Sequence, residues 1–180
     1  MHIANTCVRG GEISGNLAKS TAIYAQGGGV YSGSTFTISG GEIKDNKLEF
    51  ATYGNGSGVY VSSNAFTLSG SAKVTPKGGG SSYTTNADDR NSIYLSSTSY
   101  FIRIQGTLSE PTVGLIDLVS TWTITSPLLR SWDGTTASNF TNNAPTDKFG
   151  LGVKINEFSN VFSAITGPWS DSGNGRITGL

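Results

Sequence analysis

Hydrophobic and polar positions alternate along this chain in short bursts, and each burst is closed by glycine or by Asn and Asp. Val59-Tyr60-Val61 and Phe66-Thr67-Leu68 show the two-residue period of a half-buried strand. Gly pairs with Asn or Asp stand within a few residues of every burst, so each strand is short and ends in a turn. Helical spacing is nearly absent from residues 8 to 110. Further on, Ile155, Phe158, Val161, Phe162 and Ile165 fit a helical stripe, so a short helix is expected over residues 155–165.

The bursts recur. Gly27-Gly28-Gly29-Val30-Tyr31 returns as Gly56-Ser57-Gly58-Val59-Tyr60 and more loosely as Asn91-Ser92-Ile93-Tyr94. Phe36-Thr37-Ile38-Ser39-Gly40 returns 30 residues later as Phe66-Thr67-Leu68-Ser69-Gly70. Gly10-Gly11-Glu12-Ile13 and Asn16 return at the same interval as Gly40-Gly41-Glu42-Ile43 and Asn46. A near-constant period of this length marks a solenoid. Glycine this frequent, 25 of 180 residues, is incompatible with two helices per repeat, and no leucine ladder is present. The expected fold is therefore all-β: a right-handed parallel β-helix with coils stacked about 4.8 Å apart. Residues 1–118 are expected to form the coils, the first of them truncated and open at its edge. Residues 119–180, aperiodic and rich in aromatics, are expected to form a C-terminal cap.

Side-chain directions follow from the alternation. Val30, Val59, Val61, Ile93, Leu95, Phe36, Ile38, Phe66 and Leu68 should point inward. Tyr31, Tyr60 and Tyr94 should point outward as an exposed aromatic column, with Thr37 and Thr67 outward on a second face. Asn16 and Asn46 should occupy equivalent turns in left-handed geometry and bond their neighbours' backbone, with Pro76 interrupting that row in the next coil.

GGGVY at Gly27–Tyr31 together with FTISGGEI…N at Phe36–Asn46 resembles the β-helix repeats of treponemal-type bacterial surface proteins. More distantly it is similar to the repeats of chlamydial polymorphic outer-membrane proteins. Asn91–Gly106, Asp147-Lys148-Phe149 and Trp169–Ile177 resemble the coil and terminal segment that close such arrays. The resemblance implies an extracellular or outer-cell-surface location and host or cell-surface glycans or proteins as partners.

Charge and chemistry narrow the function. Twelve basic and twelve acidic residues cancel, against the basic surplus of a nucleic-acid binder. No apolar run suits membrane insertion of this segment. His2 and Cys7, the single His and single Cys, support neither a zinc site nor a catalytic dyad, and Cys7 is expected to be a buried small hydrophobe. Asp88-Asp89-Arg90, the densest charged cluster, is expected to be a solvated turn in an exposed loop over residues 81–91. Glu12 and Glu42 should stack about 5 Å apart, a separation that suits a carboxylate pair in a glycosidase; their repeat position makes them charges flanking Lys44 instead. Gly27–Gly29 and Gly78–Gly80 are turns, because no Lys-Ser/Thr and no helix follows them.

The reading is a non-catalytic structural or adhesive fragment of a surface-displayed or secreted repeat protein, without catalytic residues, metal or cofactor. Its one surface with binding character is the column Tyr31, Tyr60 and Tyr94. Self-association through the open N-terminal edge is a further expectation. The alternative is a carbohydrate-binding or polysaccharide-lyase-like module on the same scaffold.

Overall fold

The computed structural model describes residues 2–3, 6–77, 84, 86–119, 121, 128–140, 145, 148–154, 170–171 and 177–178; for 2–3, 151–154, 170–171 and 177–178 it describes the backbone alone. The helix expected over 155–165 and the glycine triplet at 78–80 lie outside the described residues. Among those residues the chain is all β-strand and turn, wound into a solenoid of parallel strands.

Two faces run the length of the solenoid. On the valine face, Val30–Ser32, Val59–Val61, Ile93–Leu95, Gly114–Leu118 and Phe149–Lys154 stack in that order, with His2–Ile3 at the near edge. On the phenylalanine face, Thr6–Val8, Phe36–Ile38, Phe66–Gly70, Ile102–Leu108 and Leu129–Trp132 do the same, followed by an antiparallel edge strand, Ala137–Ser138. A glutamate face (Glu12–Ser14, Glu42–Lys44, Lys73–Val74), a lysine face (Leu17–Ser20, Lys47–Phe50) and a tyrosine corner (Tyr24–Gln26, Tyr53–Asn55) complete the first coils. Coil-to-coil register follows the repeats: Val59 lies between Val30 and Ile93, and Phe66 opposite Phe36.

The inward directions hold. Val30, Val59, Val61, Phe36, Ile38, Phe66, Leu68, Ile93 and Leu95 are all buried and join one axial core. The Phe36 and Phe66 rings stack within it at 5.9 Å, inclined by 14°. Between the tyrosine corner and the valine face the coils approach closely. Gly27 has φ of 67°, and a Cβ on Gly28 would stand 2.3 Å from the Ser57 carbonyl oxygen. That approach is why this turn is written in glycine.

One direction differs from expectation, and one outward side chain is covered. Cys7 is exposed, because it pairs in register with outward Thr37 while Val8 pairs with buried Ile38. Thr67 does point outward but is covered, 2% exposed, where the phenylalanine face continues above it.

All five strands of the first coil are edge strands. Val8 and Ile13 are only half-buried there, whereas their register partners Ile38 and Ile43 are buried. Unpaired edges open most readily. Amide hydrogens of residues 6–26 should therefore exchange fast and those of residues 56–70 slowly; equal protection of both segments in a monomer would contradict an open edge.

Candidate functional site

The tyrosine column forms as the alternation dictates. Tyr31, Tyr60 and Tyr94 are in register, with ring centroids 5.2 Å and 5.5 Å apart and planes inclined by 16° and 23°. It is not an exposed column, however: Tyr60 is 9% and Tyr94 3% exposed, and only Tyr31 is half-exposed. Val119 packs against the rings, and Ser96 hydrogen-bonds to Tyr60. Burial pushes the Tyr60 phenol up, partly offset by the Ser96 bond. Rings stacked along the axis turn their faces toward one another and their edges outward, so little π-face is left for a sugar to lie on. The column works as a cross-strand stabiliser of neighbouring coils.

A second aromatic pair, not singled out in the sequence, lies at the tyrosine corner. Tyr24 and Tyr53 stack at 5.4 Å, and Tyr24 is 51% exposed. Each stands three residues before a turn glycine, Gly27 or Gly56, so the repeat alignment contained the signal.

The asparagine row is longer than expected. Asn46 Nδ2 donates to the Ile13 carbonyl at 2.9 Å and to Asn91 Oδ1 at 3.1 Å, while Asn46 Oδ1 accepts from the backbone N–H and side-chain amide of Asn16. Asn91 Nδ2 donates to the carbonyls of Ile43 and Thr75, both at 2.8 Å. Pro76 therefore does not end the row, which Asn91 continues. Left-handed geometry falls not on Asn16 and Asn46 but one residue earlier, on Gly15 and Asp45, and on Asn91 itself. Asn46 is fully buried. Asn46→Ala would take the side-chain donor from the Ile13 carbonyl and the acceptor from the Asn16 amide, leave Asn91 Oδ1 with the Asn46 backbone N–H alone, and should cost at least about 2 kcal/mol in urea melts. Asn16→Ala, at an exposed rung, should cost less than about 1 kcal/mol; equal losses would show that the row is not continuous.

Asp88-Asp89-Arg90 is not a solvated turn. Asp88 is 0% and Arg90 8% exposed, and Ala87–Asp88 pairs antiparallel with the lysine face. Arg90 donates from Nε and Nη2 to Asp88 at 2.9 Å and 3.2 Å, and from Nη1 and Nη2 to buried Asp117 at 3.1 Å and 2.6 Å. Asp117 belongs to the tyrosine row, in register with Tyr94. Two carboxylates thus share one guanidinium out of water. Desolvation pushes the Asp88 carboxyl up despite Arg90, and the two carboxylates together hold Arg90 firmly charged. Asp89 pairs with Lys77.

Glu12 and Glu42 are in register, and Lys44 stands between them at 2.9 Å and 3.8 Å. Lys73 continues the row, 3.6 Å from Glu42 and 3.8 Å from Glu110, and the Thr75 hydroxyl donates to Glu42. Hydrogen bonds from Ser14 and Lys44 hold the Glu12 carboxyl below its usual range. This alternating row is the arrangement of charges flanking Lys44. The side chain of His2 lies outside the described residues. Among the described residues no cluster of three or more His, Cys, Asp or Glu side chains could hold a metal ion, and no helix is long and apolar enough to cross a membrane. A shallow cleft of about 510 Å³ lies beside the Lys19–Glu49 ion pair, with Phe50, Thr21 and Asn86 on its walls.

Comparison with known protein families, curated proteins and solved structures finds no match to this chain.

Proposed function

We propose that the chain is a non-catalytic, structural and adhesive part of a surface-displayed or secreted β-helix protein, its coils acting as a stalk. One observation carries this reading: phenylalanine, tyrosine, asparagine and Glu–Lys rows run along the solenoid axis from coil to coil. Each row strengthens the contact between one coil and the next, which is how a quasi-one-dimensional protein becomes a rod. The carboxylates that chemistry would need, Glu12, Glu42, Asp88 and Asp117, are engaged by Lys44, Lys73 and Arg90 in the same rows. The resemblance of GGGVY and FTISGGEI…N to bacterial surface repeats supplies the location. An antibody raised against the folded chain should label intact cells of the source organism. Labelling only after lysis would refute the surface reading, and turnover of a glycan by the purified chain would refute the non-catalytic one.

A further inference from the structure

Among the described residues, the buried and half-buried cations on the glutamate face and in the 77–90 segment are matched by carboxylates. Lys44, Lys73, Lys77 and Arg90 all have acidic partners. Two arginines on the outer side of the phenylalanine face break this rule. Arg103 and Arg130 are register partners on adjacent coils, pointing outward because Ile102, Ile104 and Leu129 beside them are buried inward. Like charges directly opposite one another repel. Neither has a carboxylate among its described contacts; aromatic rings hold them instead. The Arg103 guanidinium lies 3.9 Å over the Trp132 ring of the next coil, and that of Arg130 lies 5.9 Å from the Phe101 ring of the coil before. Arg103 Nε is buried without a hydrogen-bond partner. The nearby carboxylate in sequence, Asp133, is occupied by the backbone N–H groups of Thr135 and Thr136. Partial desolvation pushes the Arg103 guanidinium down.

A pair of planar cations held against rings, with no carboxylate partner among the described residues, is a preorganised anion receptor. We propose that Arg103 and Arg130 form a binding site for the carboxylate or sulfate groups of an acidic polysaccharide lying across this face. The surroundings favour a saccharide: Gln105 and Thr107 are uncharged, exposed and able to bond hydroxyl groups. The inference does not rest on the stalk reading, since it concerns two side chains outside the axial rows that carry that reading.

The test is calorimetric titration of the full chain with polygalacturonate, dextran sulfate, neutral dextran and polyglutamate. One of the two acidic polysaccharides should bind and neutral dextran should not. The double variant Arg103→Gln/Arg130→Gln should weaken that binding by at least about tenfold. The charge-matched control Arg9→Gln/Lys47→Gln, which removes two exposed cations elsewhere, should change it by less than about twofold. Arg103→Lys/Arg130→Lys keeps the charge, loses the planar fork, and should also weaken binding; it carries the test if the Gln variant fails to fold. Equal losses in the control, no binding of either acidic polysaccharide, or polyglutamate binding as tightly through the same two arginines would overturn the proposal.

Discussion

Arg90→Ala should cost about 3–5 kcal/mol at neutral pH, because it leaves Asp88 and Asp117 ionised and buried with no cation between them. The loss should shrink as the pH falls. Without Arg90, the Asp88 carboxyl binds its proton more tightly folded than unfolded, so the variant gains stability as pH drops from neutral toward the ordinary carboxylate range. Asp88 leans that way already, pushed up by burial. Urea midpoints at pH 7 and pH 5 would measure the effect. Asp88→Asn is the control: it leaves Arg90 paired one to one with Asp117 and should cost clearly less than Arg90→Ala. A small Arg90→Ala loss that does not change with pH would mean that the triad is solvated.

Phe66→Ala should cost about 3–5 kcal/mol, a large part of the stability of a domain this size. Phe66 is fully buried, stacked on Phe36, and its strand lies between two others, so the cavity has walls on both sides along the axis. The neighbouring coils are fixed by their own backbone hydrogen bonds and cannot collapse into it. Denaturant melts monitored by circular dichroism would measure the loss, and a value under about 1 kcal/mol would contradict the inward register of this face.

How much of this was legible follows from the range of each contact. The coil core was readable because alternation and a 30-residue interval place Phe36, Phe66, Ile38 and Leu68 without reference to anything distant. The exposure of Cys7 was readable too, since the 30-residue interval aligns it with outward Thr37 and its neighbour Val8 with Ile38. The covering of Tyr60 and Tyr94 was not, because it comes from segments outside the repeat, Ser96 and Val119 among them. Asn91 escaped because an insertion lengthens the step from Asn46 to 45 residues. Asp88 and Arg90 looked like a polar turn because Asp117, which draws them inward, lies 27 residues beyond Arg90. The Arg103–Arg130 pair was hidden for the same reason: the interval between its rungs is 27 residues, outside the 30-residue template.

The central claim is that residues 30 apart lie side by side on successive coils, and native Cys7 offers the most direct test of it. Cys7 is the only cysteine, is exposed, and is in register with outward Thr37 on the next coil. In a Thr37→Cys variant the two thiols should sit on neighbouring strands about 4.8 Å apart. A short thiol-reactive bis-electrophile should then alkylate both and link them within one molecule rapidly and almost completely, as read by mass spectrometry. A Lys47→Cys variant, exposed but on another face, should resist the same reagent. Fast linking at Lys47→Cys, or none at Thr37→Cys, would contradict the solenoid.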